Sequence, residues 1–447
     1  MVQIADTITD RSARGIAAAV SQLIGAGDLQ PGDRLPTVRE LARDLGVSAG
    51  TVSEAWQTLS RVGVIAPRGR AGTVVLERRG GSGPTRYRRL APGSQAVARD
   101  LSSGIPDALL LPDLGPLLRR IGGTALSSSY LDRPVLPALE ELLLETWPFT
   151  PGGITVVDGA LDALSRVTDI VVAFGDRVVV ESPAFPPLLD LLDRVGAETI
   201  GVEVDAEGMV PASLAQALSQ HPVAVYLQPR AHNPTGSSIS PGRAAALARV
   251  LRGHDLTVIE DDHSGDIATA DDVTLGRELP ERVLHIRSYS KSHGPDLRIA
   301  AVGGSADLID RLVERRMLGP GWTSRMLQSL LVELLTDRAA IDSVAHARDT
   351  YRRRQCDMAE ALTSRGVDVK PADGINQWIP VVDERLALVS AAASGIGVAP
   401  GTPFIPSGGV PDRDHVRVTV GLVDDDVERV ADCLAAAAAP GSSSAGV

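Results

Sequence analysis

Cysteine, lysine and the aromatic residues are all scarce in this sequence of 447 residues. The two cysteines, Cys356 and Cys433, cannot build a disulfide framework and fit a reducing compartment. Residues 1–6 carry neither the basic region nor the apolar region of a secretory signal. No apolar run approaches the roughly 18 residues that a membrane-spanning helix needs. These absences predict a cytoplasmic protein with no membrane partner.

The shortage of lysine is the sharpest of these absences. Only Lys291 and Lys370 are present, beside 42 arginines. Arginine can replace lysine wherever a bare positive charge is enough, but its guanidinium cannot act as a nucleophilic amine. A lysine that remains in such a chain is therefore a candidate for a role that needs the amine itself.

The length and the charge distribution indicate more than one domain. At about 100–200 residues per domain, the chain is long enough for two or three. Apolar residues make up 44% and charged residues 22%, which excludes a wholly disordered chain. Residues 1–90 carry 13 basic side chains against 8 acidic ones, and the remainder carries 31 against 48. This asymmetry is typical of a nucleic-acid-binding head joined to a different kind of body.

A break in composition separates the head from the body. Gly80-Gly81-Ser82-Gly83-Pro84 interrupts the hydrophobic pattern, and basic, polar sequence continues to Arg99. We therefore predict a head over residues 1–78, a linker over 79–99 and a body over 100–438. The end of the sequence, residues 439–447, is predicted to be a disordered tail.

The head has the pattern of three helices followed by a β-hairpin. An apolar stripe predicts a helix over residues 11–25. Thr37 and Glu40 fit a capping box that starts a second helix, and Ser48 can cap a third. Residues 64–75 alternate around a polar, arginine-containing tip, which predicts a hairpin. Two short helices joined by a tight turn suit a helix-turn-helix that places its second helix in the major groove of DNA.

This segment resembles the winged helix-turn-helix of GntR-type regulators. The resemblance is carried by Leu29-Gln30-Pro31-Gly32-Asp33-Arg34-Leu35-Pro36-Thr37-Val38-Arg39-Glu40-Leu41-Ala42, Leu45-Gly46-Val47-Ser48, Thr51-Val52 and the Gly63 to Gly72-Thr73 wing. It implies an operator DNA partner. The DNA contacts that it implies are Arg39, Ser48, Thr51, Arg68 and Arg70. One departure is Ala49, where the family usually has arginine after the capping serine, so one DNA contact is expected to be missing.

The body alternates β-rich runs with helical stretches. Seven such runs, separated mostly by helical crossovers, predict an α/β fold with a mostly parallel sheet. The predicted strands are Ile154–Val157, Arg177–Glu181, Thr199–Val204, Val223–Gln228, Leu256–Glu260, Val283–Ser288 and Ala300–Gly303. We place this large lobe at about 120–305 and a smaller α+β lobe at about 306–438.

Reactive side chains follow the carboxyl ends of these strands, which is where ligands bind in open α/β sheets. Lys291 follows one strand, Asp261 a second and Asn233 a third, while Gly159 begins a helix after a fourth. An amine, a carboxylate, an amide and a phosphate-binding helix start are what pyridoxal phosphate requires. The sequence therefore predicts pyridoxal phosphate as the cofactor.

The body is similar to the fold-type-I aminotransferases, on the motifs Asn233-Pro234-Thr235-Gly236 and Ser288-Tyr289-Ser290-Lys291 with Arg298. With its GntR-like head, the chain resembles the MocR subfamily. The resemblance implies that Lys291 forms the Schiff base, Asp261 pairs with the ring nitrogen, Asn233 binds the ring hydroxyl and Phe185 stacks on the ring. It implies phosphate contacts from Gly159, Ala160, Ser288, Ser290, Arg298 and, across a subunit interface, Tyr130. It also implies that Arg417 takes the α-carboxylate of an amino compound.

His263 is the second departure, because the family usually has tyrosine there. A neutral histidine could still donate to the cofactor, or it could lie behind the residues that contact it. The remaining histidines show no metal-ligand spacing, and no HExxH or CxxC pattern occurs, so no metal is expected.

Three functions remain open from the sequence. The leading hypothesis is a transcriptional regulator that binds operator DNA and senses pyridoxal phosphate, an amino compound or both. It is expected to form a homodimer, and the resemblance suggests a head-to-tail arrangement. The alternative is an active aminotransferase with an accessory DNA-binding head. The third is a body that serves as an inactive scaffold and senses a different ligand, and the retention of Lys291 in so lysine-poor a chain counts against it.

Overall fold

The computed structural model describes residues 4–26, 28–30, 32–61, 64–67, 72–76, 85–90, 97–121, 132–409 and 413–438. The chain divides into two compact units. The first comprises Met1–Thr85 with the short segments Val172–Arg177 and Asp190–Glu198, and the second comprises the rest. The described part of the chain has no helix with the length and apolar character that crossing a bilayer requires.

The first unit contains the expected helices and hairpin. Its elements are α1 (Ile4–Thr7), α2 (Ala13–Ala26), α3 (Val38–Leu45), α4 (Ala49–Arg61), β1 (Ile65–Pro67) and β2 (Thr73–Val75). The two strands pair antiparallel, with Ile65 opposite Val75. Ile16 and Val20 of α2 and Val52 and Leu59 of α4 are completely buried, which confirms the apolar stripes read from the sequence.

Both predicted helix caps are present. The Thr37 hydroxyl accepts from the backbone N–H of Glu40, and the Glu40 carboxylate accepts from the backbone N–H of Thr37. Helix α3 ends at Gly46, whose φ of 69° is the left-handed conformation that glycine adopts at low cost. The Ser48 hydroxyl accepts from the backbone N–H of Thr51 at 3.1 Å and so caps α4.

The second unit is built on a mixed sheet of eight strands, one more than the seven that we expected. The additional strand is β7, only two residues long and without the alternating pattern that would mark it in the sequence. The strands are β4 (Gly153–Val157), β5 (Arg177–Ser182), β6 (Glu198–Asp205), β7 (Gly208–Met209), β8 (Ala224–Leu227), β9 (Thr257–Asp262), β10 (Val283–Ser288) and β11 (Ala300–Gly304). Their order is β4-β11-β10-β9-β8-β5-β6-β7.

The centre of this sheet is parallel. Strand β9 pairs parallel with β8 and β10, and β5 pairs parallel with β8, whereas β11 runs antiparallel to both of its neighbours. Strands β5, β8, β9 and β10 are buried along nearly their whole lengths, as in a sheet covered on both faces. The helices along this part of the chain are α5 (Thr85–Arg88), α6 (Leu114–Ile121), α7 (Pro137–Thr146), α8 (Ala160–Val171), α9 (Pro186–Val195), α10 (Pro211–Leu218), α11 (Pro241–Leu251), α12 (Ala306–Met317) and α13 (Arg325–Thr336).

A smaller α+β lobe has its own core. Its strands β12 (Gln377–Val381), β14 (Ala399–Pro400) and β15 (Asp414–Val418) form a sheet in the order β12-β15-β14. Strand β3 (Arg99–Asp100) pairs parallel with β13 (Ile396–Gly397), and Leu101 is fully buried in the same core. The helices are α14 (Arg338–Thr363), α15 (Glu384–Ala393) and α16 (Val427–Ala438).

Candidate functional site

The carboxyl ends of three parallel strands bring the predicted site residues to one edge of the sheet. Asp261 is near the end of β9 and lies in register with Ile286 of β10, which ends at Ser288. Gln228 follows directly after β8, the other neighbour of β9. The parallel pairing therefore places the groups at one edge, as the strand pattern predicted.

Asp261 is a buried carboxylate with one oxygen left over. Its Oδ2 accepts from Gln228 Nε2 at 2.8 Å, while its Oδ1 has no hydrogen-bond partner among the described residues. Burial raises the pKa of Asp261 to about 6, the hydrogen bond from Gln228 opposes this, and the charge of Asp262 adds to it. A buried acceptor without a donor is costly, so this oxygen is suited to a ligand that brings an N–H.

Gln228 is a residue that the sequence reasoning missed. Besides donating to Asp261, its Oε1 accepts from the backbone N–H of Asn233 at 2.8 Å. One side chain thus fixes the positions of two predicted cofactor residues. The available signal was a polar residue that ends a buried apolar strand five residues before Asn233.

A second buried carboxyl lies behind Asp261. Glu181 Oε2 accepts from the backbone N–H of Gln228 at 2.9 Å and is 3.3 Å from His232 Nε2. Burial raises the pKa of Glu181 well above its usual range, and the charge of Asp261 adds to the rise. Burial also lowers the pKa of His232 to about 3. Burial therefore disfavours the charged form of both carboxyls.

Lys291 and Arg417 both contact the segment that follows β3. Lys291 Nζ donates to the carbonyl of Gly104 at 2.7 Å. Burial lowers the pKa of Lys291 to about 8, Arg417 lowers it further and Asp261 opposes the change. Arg417 is 2% exposed and donates to the carbonyl of Ser102 and, at 3.3 Å, to Asn233 Oδ1. A lysine that loses its proton near pH 8 is a usable nucleophile.

The ring of His263 donates to the backbone, which leaves no N–H for a ligand. Its Nε2 lies 2.9 Å from the carbonyl of Ala231, which can only accept, so this nitrogen carries the proton. Burial lowers the pKa of His263 to about 3, and Lys291 lowers it further. A neutral ring protonated on Nε2 has only an acceptor at Nδ1, which lies 3.4 Å from the Ser264 hydroxyl. This arrangement favours a position for His263 behind the residues that contact the cofactor, and not a donor contact to the cofactor itself.

The start of α8 forms a cradle with Arg298. Gly159, with a φ of 99°, precedes Ala160 at the start of this helix, and a Cβ at Gly159 would come within 3.3 Å of Arg298 Cζ. Arg298 donates to the carbonyl of Asp158 at 3.0 Å and has a φ of 47°, unusual for a residue with a side chain. Helix N–H groups beside a guanidinium are suited to an anion. Ser288 Oγ, which is buried, accepts from the backbone N–H of Ser290 at 3.3 Å.

Arg316 contacts the residues directly before Gly159 and stabilises the turn that leads into α8. The sequence did not predict this role. Its guanidinium is 1% exposed and donates to the carbonyl of Val156, to Asp158 and to Thr323. Thr323 also donates to the Asp158 carboxylate at 2.8 Å. These contacts fix the backbone on which Gly159 stands.

Two other predicted residues have different outcomes. Phe185 is half-buried directly before α9, on the loop that leaves β5. Tyr130 lies outside the described residues. Phe185 therefore follows β5, the strand after which the sequence predicted it.

The predicted DNA contacts that the structure describes lie on the surface of the first unit. Arg39 of α3 and Ser48 are exposed, and Thr51 is half-buried in the first turn of α4. The hydroxyls of Ser48 and Thr51 are 2.8 Å apart, so the second helix of the motif starts from a fixed polar pair. Arg68 and Arg70, at the tip of the hairpin, lie outside the described residues.

One group of possible metal ligands occurs among the described residues. Asp262, Asp272 and His285 have ligand atoms within 4.8 Å of one another. Arg230 pairs with Asp262 at 2.5 Å, and Arg287 pairs with Asp272 at 3.2 Å. The two guanidiniums already neutralise the carboxylates, so these contacts are ion pairs of the fold.

Replacing Gln228 by leucine should lower the free energy of unfolding of the ligand-free protein by about 1–3 kcal/mol, because it leaves the Asn233 N–H and Asp261 Oδ2 buried without partners. Urea denaturation measures this change. Gln216→Leu, at an exposed position of α10, is the matched control and should change little. Equal stability of the two variants would show that Gln228 does not organise the site.

Two protein families match separate parts of the chain. Residues 12–75 match the bacterial regulatory proteins of the gntR family, and residues 99–434 match aminotransferase class I and II. The vitamin B6 salvage pathway transcriptional repressor PtsJ of Salmonella typhimurium is 36% identical over 425 residues, covering 94% of this chain and 96% of that protein. The HTH-type transcriptional regulator TauR of Rhodobacter capsulatus is 26% identical over 428 residues, covering 86% and 88%.

Solved aminotransferase structures share the fold of the second unit. A Pyrococcus horikoshii kynurenine aminotransferase superposes with a TM-score of 0.68 at 21% identity, covering 76% of this chain and 91% of that one. LysN, the α-aminoadipate aminotransferase of Thermus thermophilus, gives 0.69 at 22%, covering 79% and 95%. At such identities the likeness concerns the fold alone, whereas PtsJ matches along nearly the whole chain. The chain therefore belongs to the aminotransferase class I and II family and, with its GntR-type head, to the MocR subfamily of transcriptional regulators.

Proposed function

We propose that this regulator binds pyridoxal phosphate through Lys291 and that the bound cofactor, alone or with an amino compound, changes its affinity for operator DNA. The observation that carries the proposal is the unpartnered, buried Oδ1 of Asp261. A protonated pyridine nitrogen would supply the missing N–H and a compensating positive charge. No described side chain donates a hydrogen bond to this oxygen.

The other described residues fit the same group. Lys291 offers an amine with a lowered pKa, and the cradle of Gly159, Ala160 and Arg298 suits a phosphate. Asn233 would bind the ring hydroxyl, Phe185 would stack on the ring, and Ser288 and Ser290 would add phosphate contacts. When bound, pyridoxal phosphate supplies an aldehyde that reacts with amines and a ring that withdraws electrons. We assign the phosphate contact across a homodimer interface to Tyr130.

Arg417 is suited to the carboxylate of an amino compound. Its Nε has no partner among the described residues, and burial lowers its pKa to about 10, so the guanidinium is held in an environment that an anion would stabilise. Asn233 accepts from Arg417, which connects this residue through Gln228 to Asp261. The effector class that we infer is a primary amine bearing a carboxylate.

The regulator hypothesis is favoured over the aminotransferase hypothesis. The relatives that match along most of the chain are named as transcriptional regulators, and PtsJ is named as a repressor of vitamin B6 salvage. That name favours pyridoxal phosphate itself among the sensed compounds. His263, which donates to a backbone carbonyl, adds support because it leaves the ring oxygen without the donor that the enzymes usually have.

The test is a titration of labelled DNA from the region upstream of the gene, with the purified full chain, in the presence and absence of pyridoxal phosphate. We expect saturable binding whose half-saturation shifts at least about fivefold with the cofactor, within the usual range of allosteric coupling. Specific binding that ignores both pyridoxal phosphate and amino acids would contradict the sensor role. Absence of specific binding, together with turnover in a transaminase assay, would favour the enzyme.

Arg39→Ala should weaken DNA binding at every sequence tested and reduce the slope of log affinity against log salt by about one unit, because one phosphate contact is lost. Binding measured at several salt concentrations gives the slope. Arg88→Ala, an exposed residue of α5, removes the same charge outside the head and should leave the slope unchanged. The same slope in both variants would remove Arg39 from the interface.

A further inference from the structure

A short segment that begins at the last residue of the predicted linker runs directly past the predicted site. We call residues 99–104 the strap. Arg99, the first residue of the strap, anchors it to the smaller lobe. Its guanidinium donates to the Leu422 carbonyl at 2.6 Å, to Asp424 at 2.8 Å and to Asp426. Two further backbone contacts continue this anchoring: Leu101 N–H donates to Gly397 at 2.8 Å and Thr419 N–H donates to Leu101 at 2.8 Å.

The other end of the strap accepts hydrogen bonds from two side chains of the predicted site, Lys291 and Arg417. The carbonyl of Ser102 accepts from Arg417, and the carbonyl of Gly104 accepts from Lys291. Gly104 has a φ of 64°, a conformation that glycine adopts at low cost, and a Cβ there would come within 3.1 Å of Arg417 Nη1, so glycine favours this close approach of the backbone. In this arrangement the strap holds the guanidinium that a ligand carboxylate would need.

The linker also packs with a residue that contacts Arg417. Leu90, in the predicted linker, is buried in a cluster with Ala399 and Phe404. The Phe404 ring lies 5.3 Å from Arg417 Cζ, within the range of a cation–π contact. Ser102 thus contacts Arg417 directly through its carbonyl, whereas Leu90 packs with Phe404, whose ring contacts the same arginine.

We propose that the strap is the element that reports occupancy of Arg417 to the linker. A ligand carboxylate is a stronger acceptor for a guanidinium than a backbone carbonyl, so binding displaces the carbonyl of Ser102 and shifts the strap. The linker that carries the DNA-binding head leads directly into the strap. Arg99 holds the first residue of the strap to the smaller lobe, so a shift of the strap occurs relative to this anchored end. This inference rests on the proposed function and adds the route of coupling to it.

The experiment compares ligands that differ in the carboxylate. Operator DNA is titrated with the full chain in the presence of pyridoxal phosphate, of pyridoxamine phosphate, or of N-(5′-phosphopyridoxyl)-L-alanine, which adds a carboxylate-bearing group to the pyridoxamine phosphate skeleton. We expect the alanine adduct to shift the half-saturation at least about fivefold relative to pyridoxamine phosphate. An effect of pyridoxal phosphate with no difference between the other two would overturn the strap and leave the proposed function standing. No effect of any ligand would overturn both.

Arg99→Ala tests the anchor without altering a residue of the site. We expect the variant to bind the adduct within about threefold of the unmodified protein but to lose the difference between adduct and pyridoxamine phosphate in DNA affinity. Arg429→Ala is the matched control, because Arg429 pairs with the same Asp426 at 3.0 Å and does not contact the strap. A full shift retained in Arg99→Ala contradicts the proposal, and so does a large loss of adduct binding, which would make the strap part of the ligand site only.

Discussion

Lys291→Ala should abolish the near-visible absorption that the protein acquires on incubation with pyridoxal phosphate. The band requires a covalent bond between the cofactor and an amine, and Lys291 is the lysine that the fold brings to the edge of the sheet beside Asp261 and Arg417. Lowering its pKa from 10.5 to about 8 raises the neutral fraction at pH 8 from about 0.3% to about half. The rate at which the band forms should therefore rise as the pH increases toward 8 and level off above it.

The other lysine of the chain provides the control. Lys370 lies exposed on the smaller lobe, and Lys370→Ala should leave the band and its pH dependence unchanged. Absorption spectra of the unmodified protein and the two variants, recorded after removal of free cofactor, decide the matter. A band that survives in Lys291→Ala and disappears in Lys370→Ala would reverse the assignment, whereas a band in both would mean that the cofactor reacts with no single lysine.

Much of the fold could be predicted because its determinants are local. The capping box of Thr37 and Glu40 and the cap at Ser48 involve residues three apart, and all appear in the structure as expected. The strand Val283–Ser288 was predicted with the observed bounds, because the apolar residues Val283, Leu284 and Ile286 mark it in the sequence. The eighth strand of the sheet is too short to leave such a pattern.

The parts of the site that could not be predicted depend on contacts between distant residues. Gln228 acquires its role from Asp261, 33 positions away, and the carbonyls of Ser102 and Gly104 reach Arg417 and Lys291 only because β3 pairs with β13. A backbone carbonyl leaves no trace in the choice of side chain. The position of Gly104 is marked by a glycine, but a glycine alone does not reveal which neighbour requires it.

Asp261→Asn should weaken the binding of pyridoxal phosphate by at least about 30-fold. Removing one member of a buried, hydrogen-bonded charge pair costs about 2–5 kcal/mol, because the remaining charge stays buried without compensation. Here the remaining charge would be the protonated ring nitrogen. Equilibrium titration followed by absorbance gives the affinity, and Asp266→Asn, at an exposed position nearby, should bind as the unmodified protein does.

The same substitution should have a different effect on the ligand-free protein. Burial raises the pKa of Asp261 from 3.8 to about 6, so the folded state holds this proton more tightly than the unfolded state. Stability must then decrease as the pH rises from about 4 to about 6, and this contribution remains lost at higher pH. The amide of the Asp261→Asn variant cannot titrate, so its free energy of unfolding should depend less on pH in that interval. If the variant binds the cofactor more weakly but its free energy of unfolding depends on pH as in the unmodified protein, Asp261 contacts the cofactor without carrying the buried charge. If both properties change, the fold maintains a destabilising buried carboxylate for a cationic ligand.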